Sequence, residues 1–310
     1  MLSYLIDLIF SKQNNMSIQK KIFNSPRHIL RFFYRITIKL IPKNRFGDKI
    51  FALMHFIISH KRLPSNKLIF NNVLYQIKTT DEILNPLRVF VSDKEFVKIF
   101  IRAMVGNKYN VPTFRVLKST KEIDNYKFPP NCCIKATHGN GWTILRKNSQ
   151  SIDLKKIKNW LSLNYYKSGR EANYKYLSPK IIVEPLVFGS ANPNDYKFFC
   201  VNGIPKLIQV DIDRYTNHKR TLLDINWNIL EYSIAFQNSK QPPKKPNNYK
   251  EMITIAKKLS SLFSFVRIDM YSNGKICYVG EITNCHGGAS EKFIPLIGEI
   301  KASKLLFKAK

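Results

Sequence analysis

A chain of 310 residues can bury a full core and has room for one large domain or two to three smaller ones. A 44% hydrophobic content with ordinary Gly and Pro excludes disorder as the default and points to a folded globule. The 51 Lys and Arg against 21 Asp and Glu leave a formal charge of +30, which favours an anionic partner: nucleic acid, acidic lipid or an acidic substrate. The richness in Lys, Asn and Ile equally fits a compositional bias of the source genome. Five cysteines at 132, 133, 200, 277 and 285 form no CxxC pair or zinc-spaced Cys/His cluster, so buried thiols in a reducing cytoplasm are expected.

Met1 to Phe10 lacks a basic n-region and a cleavage site, and Asp7 interrupts it, so it does not read as a secretory signal. The apolar run Ile50 to Ser59 is far short of the ~20 residues a bilayer needs, and no transmembrane helix is expected. Between them Arg27, Arg31, Arg35 and Lys39 recur every four residues, with Ile29, Phe33, Ile36 and Leu40 on another face, the pattern of a basic amphipathic helix. Residues 1–70 hold 13 Lys and Arg against two acids. Peripheral attachment to an anionic inner membrane face fits this, and so does a packed helix with a solvated basic face.

Ser92-Asp93-Lys94-Glu95 reads as a capping box, with Ser92 as N-cap, opening a helix through Phe96, Val97, Phe100 and Ala103. Lys94 then sits in a first turn, where a cation is opposed by the helix dipole unless an anion shares that end. Thr113 to Leu117 and Cys132 to Thr137 read as strands, the second carrying Lys135 into the glycine-rich turn His138-Gly139-Asn140-Gly141-Trp142. Such a hairpin can lay backbone amides over phosphates, and it is also an ordinary turn; it is neither a P-loop nor a dinucleotide fingerprint. Ser151 is expected to cap a helix reaching about Tyr166. Lys180 to Val187 reads as a buried strand broken at Pro185. Asp195–Val201 and Ile204–Ile212 form a hairpin about Asn202-Gly203, with Asp195 and Lys197 on one face. The basic stretch that follows, to Arg220, suits a carboxylate or phosphate, or plain solvent. Tyr249 to Phe263 reads as a helix with Ile253, Ala256, Leu259 and Leu262 inward.

It delivers the chain to SFVRIDMY, SNGK and ICYVGEIT, a hairpin in which Arg267, Asp269 and Tyr271 share one face. Parity decides whether Glu281 joins them. A three-residue loop of Asn273 to Lys275 sets it across from Arg267 and one diagonal step from Asp269, whereas a two-residue Asn-Gly turn splits the acids between opposite faces. Two carboxylates, a guanidinium and the glycine-rich Asn284 to Gly288 suit Mg²⁺ carrying phosphate, since Mg²⁺ takes one or two carboxylates plus phosphate oxygens. A surface hairpin with scattered charges fits as well.

Taken in order, DK at 93–94, VP at 111–112, IKATHGNGW at 134–142, VEPL at 183–186, DYKFFCVNG at 195–203, VRIDMY at 266–271 and GEIT at 280–283 resemble the ATP-grasp superfamily. The run from Asp195 to Arg220 resembles its TupA-like branch, named for teichuronopeptide synthesis; the likeness covers roughly 85–300. It implies an α+β ATP-grasp fold of two lobes gripping ATP, with a basic helical N-terminal region 1–84, a lid lobe 85–187 carrying the phosphate-covering hairpin 132–147, and a lobe 188–310 with the metal site. Under it Lys94 and Lys135 bind ATP phosphates beneath the loop His138, Gly139, Asn140 and Gly141, with Glu184 and Leu186 at the adenine hinge and Asp195 at the ribose. Asp269 and Glu281, with Thr283, bind Mg²⁺, of which two ions are implied, and Arg267 and Lys135 are catalytic. Many relatives carry Asn where this chain has Thr283, with Asn284 beside it. Arg214, Asn217, His218, Lys219 and Arg220 are candidates for a substrate carboxylate.

The implied activity is a cytoplasmic carboxylate–amine ligase that makes an amide bond through an acyl phosphate, attaching an amino acid to an acidic sugar or peptide of a surface polysaccharide. A basic nucleic-acid-binding module is the second class, although no nucleic-acid motif is present. A glycosyltransferase of the same pathway is the third, and it lacks a DxD motif.

Overall fold

The computed structural model describes residues 38, 40–190, 193–212, 218–239 and 243–308. Arg27, Arg31, Arg35 and Lys39 of the expected basic helix, the Met1–Phe10 run, and Arg214 and Asn217 lie outside them. The chain divides into two compact units, Met1–Phe51 and Ala52–Lys310, the division falling within helix α1 (Arg45–His60). Every expected site residue belongs to the second.

That unit runs through α2 (Phe70–Thr79), α3 (Pro86–Ser92), α4 (Phe96–Val105), β1 (Arg115–Leu117), α5 (Thr120–Asn125), β2 (Cys132–Ala136), β3 (Thr143–Arg146), α6 (Leu154–Trp160), α7 (Tyr166–Gly169) and β4 (Ile181–Glu184). It continues with β5 (Asp195–Val201), β6 (Ile204–Ile212), β7 (Lys219–Asp224), β8 (Ser233–Ile234), α8 (Tyr249–Ser260), β9 (Phe265–Ser272), β10 (Cys277–Thr283), β11 (Phe293–Ile294) and α9 (Gly298–Phe307). An antiparallel sheet of order β1-β4-β2-β3 is followed by a larger one of order β10-β9-β5-β6-β7, with β11-β8 as a small pair. The arrangement is α+β.

Alternation along the strands gives the five-stranded sheet two unlike faces. Tyr196, Phe198 and Cys200 of β5, Ile208 and Val210 of β6, and Val266, Ile268 and Met270 of β9 bury one face against α8 and α4. From α8 this core takes Tyr249, Met252, Ile255, Ala256 and Leu259. The expected inward set was offset, because the helix stops at Ser260 and leaves Leu262 63% exposed. Other ends shift for similar local reasons. Ser92 closes α3, so the cap of α4 falls to Asp93, whose Oδ1 accepts the Glu95 and Phe96 amides at 2.8 and 3.2 Å. Asp153 rather than Ser151 caps α6, accepting the Lys156 amide at 2.9 Å, and α6 ends at Trp160, short of Tyr166. Asn202 and Gly203 turn as expected, with φ of 47° and 75° that suit a tight right-twisted hairpin.

The decisive register lies between β9 and β10. Ser272 pairs with Cys277 across an even, four-residue connection, which by itself puts Glu281 and Asp269 on opposite faces. A bulge between Val279 and Glu281 inserts Gly280 as the unpaired residue and advances the register by one, so Glu281 pairs directly with Asp269 and Thr283 with Arg267. The expected three-residue loop and diagonal placement are therefore corrected: both acids share a face through the bulge. Gly280 has no room for a side chain, since a Cβ there would stand 2.7 Å from the Tyr271 ring. Gly280→Val is expected to lower stability by about 1–3 kcal/mol through overpacking, read as a lower urea midpoint with unchanged slope.

Candidate active site

The other face of the large sheet is polar although it is buried. In successive cross-strand rows stand Arg220, Asp211 and Asp195; then Gln209, Lys197, Asp269 and Glu281; then Phe199, Arg267 and Thr283. Each row is fixed by register alone, so residues as distant in sequence as Lys197 and Asp269 become neighbours.

The Arg267 guanidinium grips Asp269 with both arms, Nε to Oδ1 at 2.7 Å and Nη2 to Oδ2 at 2.6 Å. Lys197 lies 3.3 Å from Asp269 and 3.6 Å from Asp211, and touches Asp195. Burial opposes ionisation of Asp269, but Arg267 and Lys197 outweigh it and hold its carboxyl below the usual range. Asp211 is likewise held low against burial by Lys197 and Arg220. For Asp195 burial wins over Lys197, and its carboxyl is raised.

Arg267 is tied on its other side too. Nη2 donates to Thr283 Oγ1 at 3.0 Å, and Nη1 meets Nδ1 of His286. An arginine can only donate, so Nδ1 is the acceptor and the proton of the neutral ring sits on Nε2, which lies 3.0 Å from Glu291 Oε2. Burial lowers the pKa of this imidazole against the opposing pull of Glu291. Arg220 completes the chain by reaching Glu291 at 3.0 Å and Asp211 at 2.8 Å. Asn284 turns away from this face: it accepts from Arg88 at 3.0 Å and donates to the Arg88 carbonyl at 2.9 Å, so Thr283 is the residue beside Glu281 on the site face.

The smaller sheet supplies a second set. Lys135 of β2 and Glu184 of β4 are ion-paired at 2.7 Å, and Lys98 of α4 holds the other Glu184 oxygen at 2.5 Å. Burial works against both charges, but the pairing outweighs it, raising Lys135 and lowering Glu184. Lys94 is half-buried at the start of α4, donates to the Gly139 carbonyl, and has its pKa lowered by burial against the pull of Glu281. Leu186 is buried just beyond β4. In the glycine-rich turn His138 has both ring nitrogens on main chain, the Trp160 carbonyl at 3.0 Å and the Lys180 amide at 3.4 Å, so it anchors the turn instead of facing into it. Asn140 and Gly141 follow it in the turn before β3.

The candidate carboxylate receivers divide. Arg220 is committed to Asp211 and Glu291 within the charge chain, and His218 lies 3.3 Å from Asp211. Lys219 is exposed on β7.

A family model described as TupA-like ATPgrasp matches residues 73–297. This chain belongs to that family. Solved structures similar to this ATP-grasp chain include D-alanine–D-alanine ligase from Bacillus anthracis, at 15% identity over 70% of this chain and 64% of that one with a TM-score of 0.39. The ATP-grasp ligase PsnB with its minimal precursor matches at 11% identity over 71% and 62% with a TM-score of 0.36. N5-carboxyaminoimidazole ribonucleotide synthetase from Thermus thermophilus matches at 9% identity over 64% and 46% with a TM-score of 0.38. The chain spans less than two thirds of the length of each of these three. No curated protein matches it.

The donor chemistry of this ATP-grasp face fits Mg²⁺. Glu281 is half-buried and has no hydrogen-bond or ion-pair partner among the described residues, while Asp269, its cross-strand neighbour, keeps lone pairs beyond those taken by Arg267 and Lys197. Among the described residues no three His, Cys, Asp or Glu side chains form a cage, so phosphate oxygens and water would complete the shell. Sequence reasoning missed Lys98, Gln209, Asp211, His286 as an arginine partner, and Glu291. Gln209 and Asp211 were discernible from their i, i+2 spacing on the strand after Asp195 and Lys197; Glu291 lies five residues after His286 in a stretch with no period to pair them, and only the fold brings Arg220 to it.

The chain of charges has a pH signature. Burial disfavours the Glu291 carboxylate, but His286 and Arg220 outweigh it and hold it at about 2, below the ordinary 4.5. Its contribution to stability is therefore complete above about 4.5 and is lost as pH falls toward 2. Glu291→Gln should flatten the fall of the urea midpoint over that range; an unchanged slope would show that Glu291 does not titrate there.

Proposed function

We propose that this ATP-grasp chain is an ATP-dependent carboxylate–amine ligase that forms an amide through an acyl phosphate. The observation that carries it is the direct pairing of Glu281 with Asp269, beside an Arg267 held at both ends. In this reading lobes 85–187 and 188–310 grip ATP, with Lys94 and Lys135 on its phosphates, the turn from His138 to Gly141 as their cover, and Glu184, Leu186 and Asp195 around the nucleoside. The ion pair with Glu184 keeps the Lys135 ammonium oriented and charged.

Condensing a carboxylate with an amine is uphill in water. The substrate carboxylate attacks the γ-phosphorus and ADP leaves; the amine then attacks the acyl carbon and phosphate leaves. Charge develops on the transferred phosphoryl group and on the acyl oxygen, and Arg267 is pre-set to meet it at no reorganisation cost. Mg²⁺ held by Asp269 and Glu281, with Thr283 beside a second ion, would supply the remaining charge neutralisation on the triphosphate. Family membership supports a polymer-linked substrate, an amino acid joined to an acidic sugar or peptide of a surface polysaccharide.

Five free, buried cysteines support a reducing cytoplasm. No helix among the described residues is long and apolar enough to cross a membrane, and the basic residues of 1–70 support peripheral attachment to an anionic membrane face.

Glu281→Gln and Lys135→Ala are each expected to lower carboxylate- and amine-dependent ADP release by at least about 100-fold, with little change in the urea midpoint for Glu281→Gln. Wild-type turnover in either variant would remove the site. Flotation with phosphatidylserine-rich liposomes at low salt should carry the protein upward and at about 0.5 M salt release it; protein left at the bottom under both conditions counts against attachment.

A further inference from the structure

A cavity of about 760 Å³ lies where β10, the outer strand of the large sheet, meets α4, the start of α8 and the connection 107–113. No residue assigned to nucleotide or metal lines it. Its volume falls within the ~300–1,000 Å³ of small-ligand sites. Its charge is one-sided. Arg102, Lys108 and Lys275 are exposed, reach it from three separate segments and have no ion-pair partner among the described residues. Glu251, the one acid among the described residues that line it, accepts the Tyr109 hydroxyl at 2.7 Å. In a chain of charge +30 an unpaired lysine is ordinary. Three cations converging on one concave surface are not, because they repel one another and a cleft lined by one sign of charge concentrates counter-ions.

The rest of the lining suits more than a bare ion. Tyr109 and Tyr278 are half-buried in its wall, and Lys108 sits 4.9 Å from the Tyr109 ring centre. The Tyr278 ring is held by stacking on Phe188 at 5.5 Å and 21°, while its hydroxyl has no hydrogen-bond partner among the described residues. Ile99 and Ile276 add apolar surface, 46% and 48% exposed. A fixed phenol offers an apolar face and a polar edge. Cyclic sugars match it with C–H faces and rims of hydroxyls, and carboxylates spread along a chain of such sugars match cations carried on separate segments.

We propose that this cavity binds a stretch of acidic oligosaccharide, with its carboxylates on Arg102, Lys108 and Lys275 and its sugar rings against Tyr109 and Tyr278. That the sugar belongs to the polymer on which the chain acts rests on the ligase reading and deepens it. Two links tie the cavity to the site. Lys98, in its wall, holds Glu184 and the Val111 carbonyl, each at 2.5 Å, and Glu184 in turn holds Lys135. Tyr278 pairs with Tyr271, which shares a face of β9 with Asp269, so Tyr278 and Glu281 stand on one face of β10, three positions or about 10 Å apart. A polymer anchored at the cavity therefore keeps its acceptor end close to the reacting centre, which raises the effective concentration of that end.

Fluorescence anisotropy of an end-labelled oligogalacturonate with the full chain at about 0.15 M salt tests this. The oligogalacturonate is expected to bind, and a neutral glucan of the same length to bind more weakly by about tenfold or more. Arg102→Glu, Lys108→Glu and Lys275→Glu together should weaken binding by about tenfold or more, and Tyr278→Ala by about threefold. Lys121→Glu, Lys155→Glu and Lys257→Glu together make the same change in net charge on exposed lysines outside the cavity, and should leave binding within about twofold. Both charge-reversed variants are expected to keep wild-type affinity for Mg²⁺ and a non-hydrolysable ATP analogue, which also reports folding. No binding of the oligogalacturonate, or equal losses from the two sets of reversals, overturns the site and leaves its cations as part of the general charge. Oligoglutamate of the same length binding as tightly overturns the choice of a sugar over an acidic peptide. Failure of the wild-type chain to bind the ATP analogue overturns the ligase reading but not the cavity's ligand, which the oligosaccharide measurements decide by themselves.

Discussion

Seven side chains, six charged and one a neutral imidazole, close a polar ring under the large sheet: Asp211 to Arg220, Arg220 to Glu291, Glu291 to His286, His286 to Arg267, Arg267 to Asp269, Asp269 to Lys197 and Lys197 back to Asp211. Every one is largely withdrawn from water, and an uncompensated charge there costs about 3–5 kcal/mol, so no member can be lost without stranding its neighbours. A hydrophobic layer of the same volume would be at least as stable. The ring is better understood as what holds Arg267 in one orientation, with Asp269 on one side and the imidazole on the other.

Packing makes that electrostatic arrangement strong. Phe199 and Phe70 set their rings edge-on to His286 at 5.1 and 6.2 Å, and Phe265 and Phe293 pack around Phe70. This aromatic floor excludes water below the charged rows, and Coulomb interactions strengthen as the local dielectric falls. One consequence concerns the neutral His286: with a cation against Nδ1, a low-dielectric surround favours the uncharged ring, which is the form that can accept from Arg267. Glu281 stands at the open end of the same face, and that contrast separates an acid built into the scaffold from one left available to a ligand.

The smaller sheet is tied to this face by fewer links. Lys180 bridges Asp93 and Glu95 at 3.2 and 2.5 Å and lies over the Phe96 ring, while the Thr137 hydroxyl donates to Asp93 at 3.1 Å. Lys94 joins the start of α4 to the Gly139 carbonyl. The glycine-rich turn is therefore hung from the cap of α4 and from Trp160 through His138. These contacts are hydrogen bonds and ion pairs, not packed apolar surface.

Composition, strand alternation and the ordered motifs were enough to reach the α+β class, the two hairpins around Asn202-Gly203 and Asn273-Gly274, and the shared face of Arg267 and Asp269, because a period of two is local and needs no partner. The same local reasoning put caps one or two residues early at Ser92 and Ser151, where neighbouring Asp93 and Asp153 compete for the same amides. What only the tertiary structure decided was whether Glu281 meets Asp269. Loop parity alone separates them, and the answer turned on a single inserted glycine, at a bulge where the Tyr271 ring occupies the space a side chain would need. Glu291 and His286 belong to the same class: although close to each other in the chain, each is given its role by an arginine on another strand, 71 residues away for Glu291 and 19 for His286, and no pattern along the chain carries that distance.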